Sequence, residues 1–157
     1  MPRLLCLFAL LMLSLAACVP GDPGSTVKGI RYSAEQIAQG RVYYEQTCAA
    51  CHGLDGQGQF PDAPLEPDAT GRYGAPPHNE GGHTWHHSDE LILRYIIEGG
   101  FADPRHFYQM PPFGSLYDRE QAALIVAYVK TMWTEEQRIY QFRLTAEEEK
   151  LVAQTEG

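Results

Sequence analysis

Cys48-Ala49-Ala50-Cys51-His52 is the stretch whose reading decides how this chain folds. As C-x-x-C-H it has the attachment pattern of haem c. Two thiols one helical turn apart can each form a thioether to a vinyl group on one porphyrin edge. The next residue, His52, then projects its imidazole under the iron as proximal ligand. Imidazole coordinates as the neutral ring, and its other nitrogen needs an acceptor to fix its orientation. A backbone carbonyl in the Pro-rich loop downstream, such as that of Pro76, is a candidate. Paired cysteines serve two other chemistries. A dithiol redox site normally accompanies a β-α-β pattern, which is absent here. Half a zinc site would need further ligands; there is no second Cys pair, although histidines can substitute.

A second axial ligand is sought by elimination among four methionines. Met1 and Met12 lie in the apolar N-terminal stretch, and Met132 falls on the apolar side of a helix. Met110 sits in Gln109-Met110-Pro111-Pro112-Phe113, where two prolines hold the chain out of helix and pin the thioether. Met110 is therefore the expected ligand. The other readings are a methionine filling a gap in the loop, and coordination by His106 or another histidine.

The N-terminus places this chemistry outside the cytoplasm. Met1-Pro2-Arg3 supplies one positive charge, and Leu4 to Ala17 is apolar except for Ser14. Those fourteen residues, rising 1.5 Å each, cannot cross a hydrocarbon core of ~30 Å. Residues 1–17 are expected to be a signal peptide. Leu15-Ala16-Ala17-Cys18 resembles the bacterial lipobox, which implies that Cys18 is acylated and holds the protein at a membrane surface. An ordinary cleavage site with a chance cysteine is the alternative. Residues 18–32 are expected to be a flexible lipid-anchored tether, too rich in Pro and Gly at its start for regular structure. With Cys6 removed and Cys18 acylated, only Cys48 and Cys51 remain, so this is no disulfide scaffold. Net charge is −8, which argues against nucleic acid as a partner.

Three helices are expected around a long irregular middle. The first starts at Ser33, with Gln36 as capping-box partner, and carries Ile37, Gly40, Tyr44 and Cys48 on one side. The second starts at Ser88, with Asp89 and Glu90 favourably placed in its first turn; Leu91, Ile92, Tyr95 and Ile96 form its stripe, and Gly99-Gly100 ends it. The third follows Asp118, with Gln121, and runs through Leu124, Ile125, Tyr128, Val129 and Met132. No segment alternates apolar and polar residues, so essentially no sheet is expected. A loop as long as 56–84 makes sense if a rigid cofactor replaces part of the core. At its end and just beyond, His78, His83, His86 and His87 crowd together: lining for the haem pocket, with Trp85 or a histidine on a propionate, or a second metal such as copper. Residues 134–157 form a C-terminal extension, in which Thr134 and Gln137 can cap a further helix; a solvated, frayed end is the other reading.

With these motifs in order, the chain resembles a class I cytochrome c from Tyr32 to about Trp133. Gly40, Tyr44, Cys48-Ala49-Ala50-Cys51-His52-Gly53, Met110-Pro111-Pro112-Phe113 and Leu124/Tyr128 carry the resemblance. It implies an all-α domain over 33–133 around one covalent haem, with terminal helices crossing near Gly40 and Tyr128. His52 and Met110 together would fill both axial positions, which suits electron transfer rather than catalysis. The resemblance also implies redox partners, a quinol-oxidising complex on one side and a terminal oxidase or reductase on the other. Alternatives are a subunit held permanently in such a complex, and metal handling through the His-rich loop.

Overall fold

A computed structural model describes residues 22–64, 66–102 and 110–155. Residues 1–21, with the expected signal peptide and Cys18, lie outside the described residues, as does His106. The architecture is helical: α1 Ala34–Tyr43, α2 Ala49–His52, α3 Asp89–Glu98, α4 Arg119–Val129 and α5 Glu135–Thr155. A five-residue π-helical stretch, Tyr44–Cys48, joins α1 to α2. Such widened turns cluster at functional sites, and this one leads directly into the cysteine pair.

The helix starts follow local capping chemistry. Ser33 and Gln36 form a reciprocal capping box, as do Asp118 and Gln121; Ser88 Oγ accepts from Leu91 N at 3.2 Å. Each satisfies N–H groups that the first helical turn leaves without partners. Thr134 and Gln137 make a further such pair (3.0 and 3.3 Å) at the head of α5. The C-terminal extension is thus a 21-residue helix.

α4 is the central element, with Ala122, Ala123, Ile125, Val126, Ala127 and Val129 all buried. α1 crosses it at Gly40, where a Cβ would come within 2.0 Å of the Leu124 carbonyl oxygen. Only glycine permits that approach. Tyr44 then stacks edge-on against Tyr128, 5.3 Å between centroids, so the crossing lies at the two positions expected for it. α3 lies against α4 through Ile92, Leu93 and Ile96. Its buried stripe is rotated from the expected one: Leu93 is inside, while Leu91 and Tyr95 are half-buried.

Two expectations need correction. A small sheet does exist: Thr26–Val27 (β1) pairs antiparallel with Ile30–Arg31 (β2). The turn between them has both central residues at positive φ, Lys28 at 47° and Gly29 at 75°, as a two-residue hairpin matching strand twist requires. The span 18–32 is consequently not a tether throughout. Val27 is 1 % exposed, and Asp22 is clamped by Arg138 of α5.

The second surprise is a buried ion pair. Asp89 at the head of α3 and Lys130 after α4 are 2.6 Å apart and essentially without solvent exposure. Lys130 Nζ also donates to Thr26 O at 2.5 Å. Asp89 accepts from Lys28 N at 2.7 Å and from Gln141 Nε2 at 2.8 Å, and its own N–H donates to Thr145 Oγ1 at 3.0 Å. One charged knot therefore ties the hairpin, α3, the end of α4 and α5 together. Burial lowers the Lys130 pKa, against the opposing pull of Asp89.

Candidate functional site

The site is built where α2 ends. Gly53 closes the helix at φ 82°, and a side chain there would run into Gln57. His52, the last residue of α2, is 6 % exposed. Its Nδ1 lies 2.8 Å from the Pro76 carbonyl oxygen. Since a carbonyl only accepts, Nδ1 carries the proton and Nε2 keeps the free lone pair for coordination. Burial lowers the His52 pKa despite that hydrogen bond, so the ring is held in the neutral form that binds iron.

The Pro76 carbonyl reaches His52 because the glycine-rich loop folds back on it. Gly58 N donates to His52 O at 2.8 Å and Gln59 N to Ala75 O at 2.9 Å, while His78 N and Asn79 N both donate to Gly56 O. Gly56 and Gly58 adopt φ 64° and 82°. A Cβ on Gly58 would come within 2.9 Å of Pro77 N. Trp133 Nε1 fastens the far side by donating to His78 O at 2.8 Å. The loop thus packs around the histidine expected to hold the cofactor.

Cys48 and Cys51 are free thiols, Cys48 buried and Cys51 exposed. Burial, then the nearby Cys51, pushes the Cys48 thiol up to about 12. A redox dithiol needs the opposite, a thiol pKa lowered by positive charge or a helix N-terminus. Two unpaired thiols at i and i+3, followed by an imidazole oriented through Nδ1, form a donor set that fits covalent haem c.

His78 has a position the sequence does not announce. Its ring stacks on His52, with 3.9 Å between centroids and 25° between planes. Thr84 Oγ1 donates to Pro77 O and sits 2.9 Å from His78 Nδ1, from which it accepts. Burial first, then His52 and His83, hold the His78 pKa well below its ordinary range. His78 is therefore neutral packing behind the ligand. No periodicity marks such a residue, because it lies in a loop far from its partner. The other loop histidines go elsewhere: His83 and His87 meet edge-on at 5.4 Å, and His86 packs between Trp85 and Tyr140. Trp85 Nε1 donates to Gly82 O at 2.9 Å. Among the described residues, no three His, Cys, Asp or Glu side chains converge as a metal-ligand set.

Met110 is half-buried against the core. Its carbonyl accepts from Gly100 N at 2.7 Å, and Phe113 N donates to Ile96 O at 2.9 Å, so the Met-Pro-Pro-Phe strap is sewn to the end of α3. Gly99 allows this: at φ 70°, a Cβ there would lie 2.5 Å from Met110 O. Tyr117, just beyond, hydrogen-bonds Thr47 Oγ1 at 2.6 Å and fixes the strap to the helix bearing the cysteines. Met132 has its sulfur beside Gly56.

The family model for cytochrome c matches residues 37–133. The chain belongs to the cytochrome c family. No curated protein and no solved structure is found to match it. Cytochrome c domains bind haem c covalently through Cys-x-x-Cys-His, and here Cys48 and Cys51 fill the cysteine positions. The helical architecture is the cytochrome c fold, and its function is haem-based electron transfer with redox proteins as partners. The matched span stops at Trp133, before α5 begins. No helix among the described residues is long and apolar enough to cross a membrane.

Proposed function

We propose that this cytochrome is an extracytoplasmic, lipid-anchored electron carrier whose haem iron is held by His52 and Met110. The haem supplies Fe(III)/Fe(II) cycling when bound. The protein's part is to position and shield it. Pro76 sets the His52 tautomer, His78 stacks over the ring and keeps water from it, and the Gly99–Gly100 turn holds Met110 at a fixed register. His52 and Met110 as the two side-chain ligands of the iron would leave no site open for a substrate, which suits outer-sphere transfer. The observation that carries the ligand assignment is the anchoring of Met110 O on Gly100 N, since a ligand loop must be held more firmly than a connecting one.

Cys18 is the proposed acylation site, with residues 1–17 removed on export. Donor and acceptor would be a membrane quinol-oxidising complex and a terminal oxidase or reductase. A second reading, a subunit resident in an oxidoreductase complex, is supported by α5, whose far end exposes Leu151 and Val152 at 63 % and 46 %. Co-purification with a large partner would favour it over a shuttle. For the iron ligands the test is the optical spectrum of the oxidised protein. Wild type should show the weak near-infrared sulfur-to-iron band and Met110→Ala should lose it; a band that survives the substitution refutes the assignment.

A further inference from the structure

A shallow groove runs between the hairpin and α5, lined by Pro23, Gly29, Arg31, Ile139, Phe142 and Arg143. Its volume of about 330 Å³ would hold several waters at ~30 Å³ each, and so a polar headgroup. The rim is apolar and basic in an acidic protein. Of the lining residues, Phe142 is 38 % exposed and Ile139 is half-buried. Arg31 and Arg143 are exposed and make no ion pair among the described residues; Arg31 donates to Asp22 O at 3.4 Å.

Chain length adds a second constraint. Asp22 does not swing freely: both its carboxylate oxygens accept from Arg138, and Oδ1 accepts from Gly24 N at 2.8 Å. Cys18 is four residues before it, a reach of at most ~14 Å. An acyl chain on Cys18 would therefore enter the bilayer within that distance of a residue fixed beside Pro23, one wall of the groove.

We infer that this groove is the membrane-facing surface of the protein, with Arg31 and Arg143 on anionic phospholipid headgroups and Phe142 and Ile139 at the acyl boundary. The inference rests on the proposed acylation of Cys18. Basic residues beside apolar ones are what an anionic interface attracts. The tether is then a short hinge, and the haem domain is held in one orientation toward its redox partners instead of tumbling about a flexible leash.

The test uses the mature, haem-loaded protein purified from its membrane. Intact mass reads acylation of Cys18. Hydroxyl-radical footprinting then compares the protein in phosphatidylethanolamine/phosphatidylglycerol vesicles with the protein in neutral detergent micelles. Phe142 should lose reactivity in vesicles while Leu116, exposed elsewhere in the chain, keeps it, and Arg31→Glu/Arg143→Glu should restore reactivity at the groove. Unmodified Cys18 overturns both the anchor and this surface. Acylated protein with Phe142 equally reactive in both media overturns the surface alone, as does protection that persists in the double variant. Protection that appears in micelles as protein concentration rises would put a second copy of the chain in the groove instead, and would also overturn the inference.

Discussion

At Lys130 a positive charge sits where almost no water reaches, held by Asp89 at 2.6 Å and by the Thr26 carbonyl. Removing one member strands the other, so Lys130→Met should cost about 3–5 kcal/mol. The double substitution Lys130→Met/Asp89→Leu should recover much of that loss, and urea unfolding of the holoprotein reads both. The pair was not legible in the sequence. Asp89 reads correctly as a first-turn acid favoured by the helix dipole, and nothing local says that its partner comes from the end of another helix. His78 is hidden for the same reason. Gly40 was legible, because a glycine on the inner face of an otherwise ordinary helix asks for a close neighbour. Gly40→Ala would press a methyl into the Leu124 carbonyl at 2.0 Å. A loss of about 1–3 kcal/mol is expected, seen as a lower thermal midpoint.

Elements were legible wherever their signals are local. The capping pairs at Ser33, Asp118 and Thr134 satisfy backbone groups within three residues, so their sequence pattern and their geometry coincide. The hairpin lacked a signal because its turn uses Lys28 where Asn or Asp usually stands, and its strands are too short to alternate. The rotation of the α3 stripe toward Leu93 is likewise set by where α4 lies. The Met110 strap is the element on which the proposed ligation depends, and Gly99 tests it without touching Met110. Gly99→Ala places a Cβ at positive φ, a strain of ~1–2 kcal/mol, and against the Met110 carbonyl. The strap should loosen, with a weaker near-infrared band and a lower reduction potential in a redox titration. An unchanged potential would mean that the strap does not govern the ligand.

Across the whole molecule the irregular loop 56–84 is held against His52 by its own hydrogen bonds, from Gly58 N to His52 O and from His78 N and Asn79 N to Gly56 O. His83 and His87, at and just beyond the end of that loop, also set a pH dependence. Burial first, then neighbouring histidines, lowers His83 and His87 from the ordinary 6.5, so the folded protein keeps them neutral while the unfolded chain would protonate them. Their contribution to stability is present above about pH 6.5 and is lost as pH falls through the depressed folded values. In urea titrations from pH 7.5 to 5, wild type should therefore lose stability relative to His83→Gln/His87→Gln; a constant difference would contradict this. The central claim is that one haem is bonded covalently to Cys48 and Cys51, and intact mass of the purified protein in strong denaturant tests it most directly. The chain should keep the mass and visible absorbance of one haem, with neither Cys48 nor Cys51 open to alkylation. Haem that separates from the chain, or alkylation at either residue, would contradict it.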